Sequence, residues 1–148
     1  MTIKTKVRGL NHDSLCVAWG AGVDSTAMLV RMAKIGMRPD LITFADTGAE
    51  RPATYNFIPI FSDWLESKGF PRPIVCRYQP ARQSTRDKYK EAVLGVVKRL
   101  GLDLSNERIQ QLCGIFGNMV ANETLPSIAF GANKSCSVKW KLEAQEPT

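Results

Sequence analysis

The chain has 148 residues, 44% of them hydrophobic, and a net charge of +6. That length suits one domain with a substantial core, and no apolar run approaches the ~20 residues needed to cross a bilayer. The four cysteines, Cys16, Cys76, Cys113 and Cys136, are widely spaced without a C-x-x-C pair, which argues against a zinc or iron–sulfur motif and for reduced thiols.

Residues 1–13 are polar and lead into an apolar first strand over 15–19. Trp19-Gly20-Ala21-Gly22-Val23-Asp24-Ser25-Thr26 then reads as a strand end, a glycine turn and the entry to a helix over 26–35. Met28, Leu29, Met32 and Ile35 give that helix an apolar stripe, and Gly36 is a suitable stop. The second strand, 41–45, lacks clean alternation, as a strand covered on both faces does. A loop over 46–50 follows. Pro52 suits the first turn of a helix running to Glu66, with Tyr55, Ile58, Phe61, Trp64 and Leu65 on one face. Pro59 inside it is expected to kink or split the helix. A short strand over 73–78 and helices over 87–100 and 109–119 come next. A last edge element is expected over 125–130, then a compact polar segment over 134–141 and a frayed tail.

Strand, helix, strand, helix, strand is the alternation of an open, mostly parallel α/β sheet with right-handed crossovers. The expected architecture has three layers, with helices on both faces, in a single Rossmann-like domain over 1–148. Ligands in such sheets bind beyond the C-terminal strand ends, which places 20–25 and 46–50 on one rim. A strand–turn–helix junction there presents orphan N–H groups and a positive dipole end to an anion. Gly20 and Gly22 permit close backbone approach, and Ser25 and Thr26 add hydroxyls. Asp24 is suited to holding the loop or to reaching phosphate through Mg²⁺. No Gly-Lys-Ser/Thr follows the glycines, so this is not a Walker A loop, and it lacks the three-glycine dinucleotide fingerprint.

The junction resembles the PP-loop of the adenine nucleotide alpha hydrolase superfamily, Ser-Gly-Gly-x-Asp-Ser. That group includes N-type ATP pyrophosphatases and phosphoadenosine phosphosulfate (PAPS) reductases. Gly22, Asp24 and Ser25 match, while Gly20 stands for the usual serine and Ala21 for the first glycine. Phe44-Ala45-Asp46-Thr47-Gly48-Ala49-Glu50-Arg51-Pro52 resembles the second-strand segment of PAPS-reductase-like proteins. Lys134-Ser135-Cys136-Ser137-Val138-Lys139-Trp140-Lys141 resembles their late basic segment. The likeness spans residues 15–141 and implies the HUP/Rossmann-like form of the fold.

The resemblance implies a nucleotide, ATP or PAPS, held by Gly20, Ala21, Gly22, Val23, Asp24, Ser25, Thr26, Phe44, Ala45, Thr47 and Lys141. It implies chemistry at Asp24, Asp46, Glu50, Lys134, Cys136 and Lys139, with Asp24 and Asp46 as ligands for Mg²⁺ if ATP is used. Backbone groups at Phe44 and Ala45 would read the adenine edge, and Thr47 a ribose or phosphate oxygen. The plainer alternative for Asp46 and Glu50 is a capped loop with solvated carboxylates. Related proteins usually continue past the late basic segment, so a compact or truncated member is expected. The PAPS reductase motif Glu-Cys-Gly-(Ile/Leu)-His has no counterpart in this sequence.

The leading expectation is hydrolysis at the ATP α-phosphate, or adenylyl transfer, with release of pyrophosphate. Three alternatives stay open. One is sulfonucleotide reduction or sulfur transfer, with Cys136 as the sulfur-accepting thiol. Another is a non-catalytic nucleotide sensor or protein-binding domain. The last is RNA binding, tRNA included, through residues 68–99, where nine Lys or Arg residues face only Asp87 and Glu91. Within that stretch Arg77, Arg82, Arg86, Lys88 and Lys90 surround Tyr78 and are suited to phosphate. Cys16 and Cys113 are expected in the core, and His12, the only histidine, has no catalytic role. A cytoplasmic protein free of membrane is expected, and a homodimer is an open option.

Overall fold

The computed structural model describes residues 14–125, 140–141 and 143–145. Its elements run β1 (Cys16–Ala18), α1 (Val23–Lys34), β2 (Leu41–Ala45), α2 (Pro52–Ser67), β3 (Ile74–Cys76), α3 (Gln83–Arg99), α4 (Asn106–Leu112) and α5 (Ile115–Asn122), with a final 3₁₀ turn at Glu143–Gln145. The fold is α/β, a parallel three-stranded sheet of order β1-β2-β3 flanked by helices. No helix among the described residues is long and apolar enough to cross a membrane. The chain divides into two compact units.

The first unit comprises Met1–Phe44 and Arg51–Cys76. Cys16 pairs with Leu41, Val17 with Ile42 and Ala18 with Thr43, and the Trp19 N–H continues the ladder to the Thr43 carbonyl at 2.8 Å. Side chains of a strand alternate between faces. Val17, Ile42 and Phe44 therefore join Leu29 and Met32 of α1 and Phe61 and Leu65 of α2 in one core. The same alternation corrects the expectation for Cys16, which is exposed rather than buried because it points away from Val17.

Helix α1 begins at Val23, three residues earlier than expected, which moves Asp24 and Ser25 from the loop into its first turn. It ends as expected. Gly36 takes φ +73°, its N–H reaches the Ala33 carbonyl, and Met37 N–H reaches that of Met32. This is the double closure for which an achiral residue is favoured. The same closure follows α2 at Gly69 and α3 at Gly101. Pro59 neither ends nor splits α2, which runs through it. Its ring is on the exposed side, while Phe61, Ser62 and Leu65 anchor the buried side.

The second unit comprises Ala45–Glu50 and Arg77–Thr148. Tyr89 and Val93 of α3 pack on Gly117 of α5, where an added Cβ would lie 3.1 Å from that of Tyr89. The Tyr89 hydroxyl donates to Asn118 Oδ1 at 2.5 Å, and Lys88 Nζ donates to Asn122 Oδ1 at 2.8 Å. The single helix expected over 109–119 is two, broken at Cys113 and Gly114. The cause is tertiary. Ile115 N–H leaves the helical ladder to donate to the Thr47 carbonyl at 3.2 Å, and a Cβ on Gly114 would lie 2.5 Å from that oxygen. The polar lead-in at 1–13, the edge element expected at 125–130 apart from Leu125, and the polar segment at 134–141 apart from Trp140 and Lys141 lie outside the described residues.

Candidate functional site

In the first unit the junction is organised by three residues. Trp19, fully buried, donates from Nε1 to Thr26 Oγ1 at 3.0 Å. Ser25 Oγ accepts from Gly20 N–H and donates to the Gly22 carbonyl, both at 3.3 Å. Ala21 sits between them at φ +52°, in the left-handed region that costs an L-residue about 1–2 kcal/mol. Gly22 is the N-cap of α1 and brings no side-chain acceptor to the first-turn N–H groups. Those groups therefore keep their capacity for an external anion.

Asp24 and Val23 are exposed in that first turn, and Thr26 is half-buried. The Thr26 hydroxyl accepts from Trp19 and donates to no group among the described residues, whereas that of Ser25 is spent on Gly22. The loop opens on a groove of about 590 Å³, lined by Ala21, Val23, Thr26, Val30 and Phe57 with Arg31 and Lys34 along α1. Phe44 lies in the core of this unit.

In the second unit Asp46 is buried, with Oδ1 accepting from Gly48 N–H at 2.9 Å and Oδ2 from Arg77 Nε at 2.9 Å. The Thr47 hydroxyl donates to Glu50 Oε1 at 3.0 Å and accepts from Ala49 N–H at 3.4 Å. Gly48 has φ +77°, and an added Cβ would lie 1.9 Å from the Gln111 carbonyl oxygen, so only glycine fits. The loop is thus a capped turn clamped on α4 and α5. Its aspartate is not solvated, as the plainer reading of this loop expects, but held by a cation 31 residues away. Lys141 is exposed beside buried Trp140, whose ring meets that of Tyr78 edge-on at 4.9 Å. Lys134, Cys136 and Lys139 lie outside the described residues.

The carboxylates differ in fitness for Mg²⁺. Asp24 is exposed and has no partner among the described residues, which suits a cation shared with nucleotide phosphates. Both Asp46 oxygens already serve donors, so a metal would have to displace Arg77. Among the described residues no three His, Cys, Asp or Glu side chains gather as a metal cluster.

Sequence reading singles out Arg77 only as one of a basic group and misses its pairing with Asp46. The other cavity of note lies wholly in the second unit, about 370 Å³ in volume. Arg77, Arg86 and Lys90 line it with Asp46, Asp87 and Cys113. Burial pushes the Cys113 thiol up, with the Lys90 charge opposing, and its Sγ donates to the Ile109 carbonyl. Burial also raises Tyr78, helped by Glu143 and Tyr89. No protein-family model, curated protein or solved structure matches the chain.

Proposed function

We propose that the chain binds an adenine nucleotide at the Trp19–Thr26 junction and acts at its α-phosphate, by hydrolysis or adenylyl transfer with release of pyrophosphate. The observation that carries this reading is the backbone at Ala21. The PP-loop which the sequence resembles has a glycine there, and this is the position with a left-handed φ of +52°. The residue here is alanine, yet the backbone keeps the left-handed conformation that the loop's glycine would adopt without strain. The uncapped first turn of α1 and the neighbouring open groove support the same reading, since the groove's volume suits a ligand of nucleoside size.

The first-turn N–H groups would hold phosphate oxygens, and Thr26 has a hydroxyl hydrogen to add. Asp24 would hold Mg²⁺, which when bound neutralises phosphate charge. No protein nucleophile is needed for attack by an external acceptor.

Calorimetric titration with ATP plus Mg²⁺, and with PAPS in parallel, tests the proposal. ATP preference followed by pyrophosphate release supports it. PAPS preference would move the chemistry to the sulfonucleotide branch, and binding without turnover would leave a sensor. Failure to bind either nucleotide would overturn the reading.

A further inference from the structure

The cavity in the second unit has an asymmetry of commitment. Its two acids are satisfied within the protein. Asp46 accepts from Gly48 and Arg77, and Asp87 accepts from Gln83 Nε2 at 2.7 Å. One of its cations is also spent, because Arg86 donates to the Pro80 carbonyl and, through two of its nitrogens, to the Gln83 amide oxygen. The remaining donors are exposed to solvent and are not committed to protein partners among the described residues. Arg77 uses Nε on Asp46, and its terminal nitrogens meet no acceptor among the described residues. Lys90 makes no hydrogen bond or ion pair among them, nor do the side-chain amides of Gln79 and Gln110. All four line the same cavity of about 370 Å³.

We propose that this cavity is a binding site for a small oxyanion, a phosphoryl or sulfuryl group free or carried on a small molecule. Arg77 and Lys90 supply the charge, and Gln79 and Gln110 supply amide donors. Each part has a physical reason. The guanidinium is oriented by a buried carboxylate, so its free N–H edge is held in place rather than searched for. Lys90 adds a mobile point charge, and charge-assisted hydrogen bonds are the strong ones. Arg86 braces the turn at 80–83 instead of competing for the anion. The concave shape favours a compact group over the extended backbone of RNA, which tracks along grooves. The site lies entirely within the second unit and stands whether or not the Trp19–Thr26 junction binds a nucleotide.

The test is titration with inorganic phosphate, inorganic sulfate and phenyl phosphate, against sodium chloride of equal ionic strength. Calorimetry gives the affinity. Iodoacetamide labelling of Cys113, resolved by peptide mass spectrometry, gives the location. The expected result is saturable binding that slows Cys113 labelling, weakened about tenfold or more in Lys90→Gln. Lys90 is exposed, so this variant leaves the fold intact. Tighter phenyl phosphate would identify an ester as the ligand, and equal affinities a free ion, both within the proposal. Thr26→Ala, which removes the hydroxyl proposed to meet phosphate at the junction, separates the two sites. Phosphate binding kept in Thr26→Ala and lost in Lys90→Gln supports the cavity. The reverse would assign the phosphate to the α1 junction and overturn the cavity. An equal effect of chloride, or tight binding of an RNA oligonucleotide without any response to phosphate, would overturn it too.

Discussion

Asp46 Oδ2 lies 2.9 Å from Arg77 Nε, with the carboxylate side chain 1% exposed and that of the arginine 47% exposed. The burial is one-sided, so removing the cation is the harsher change. Loss of one member of a fully buried pair costs about 3–5 kcal/mol, and the half-exposed guanidinium brings this nearer to about 2 kcal/mol. Arg77→Gln is expected to lower urea stability by that amount. Asp46→Asn keeps an acceptor for Gly48 N–H and should lose about half as much. Equal, negligible losses would reduce the pair to a solvent contact.

Ala21 holds a left-handed backbone without the freedom of glycine. Ala21→Gly relieves that strain, at the expense of a more flexible unfolded chain. A net gain of about 0.5–1 kcal/mol is expected in chemical denaturation, the left-handed penalty of about 1–2 kcal/mol less the unfolded-state cost of glycine. A loss would mean that φ at this position is negative in solution.

Gly48 and Gly114 face the opposite demand. Gly48→Ala combines a positive φ with an overlap onto the Gln111 carbonyl, and Gly114→Ala intrudes on the Thr47 carbonyl. Backbone atoms cannot swing aside as side chains do. Each is expected to cost about 3 kcal/mol or more. Thermal unfolding that leaves either variant at wild-type stability would refute the packing of this loop on α4 and α5.

Much of this architecture was legible in local pattern. The apolar run 41–45 is β2, Pro52 opens α2, and Gly36 closes α1, because each depends on neighbours within a turn or two. What escaped depends on residues distant in sequence. The break at Cys113 and Gly114 exists because Thr47 offers a carbonyl to Ile115. The burial of Asp46 exists because Arg77 returns to it, and no periodicity encodes that meeting. Cys16 has the composition of a core residue but falls on the outward side of a strand whose face is set by its neighbour, Val17. At the junction the glycine pattern marked the turn, while the commitment of the Ser25 hydroxyl to Gly22 needed coordinates.

Gly20 stands where the resembled loop has serine, and a Cβ there meets nothing closer than Ser25 Oγ at 3.9 Å. Gly20→Ser therefore fits and restores a hydroxyl donor. If the junction holds phosphate, ATP affinity should rise by about tenfold, the value of one charge-assisted hydrogen bond. Calorimetry on the variant decides, and unchanged affinity would place the phosphates out of reach of position 20.

The cysteines should separate by pH. Cys16 is exposed, whereas burial pushes the Cys113 thiol up and its Sγ is bound to Ile109. A raised thiol pKa leaves less reactive thiolate at neutral pH, and the deficit shrinks as pH rises through that pKa. Alkylation at pH 7 should mark Cys16 before Cys113, and the lag should close in alkali. Simultaneous labelling at pH 7 would contradict the burial.

Trp19 has its ring among Phe44, Phe57 and Phe61 and its indole N–H on Thr26. One side chain thus belongs at once to the buried core of the first unit and to the turn beside the groove. The protein carries its own optical witness. A displacement of the turn must stretch or break the indole hydrogen bond, and the emission of a tryptophan buried among aromatic rings will register it without any added dye.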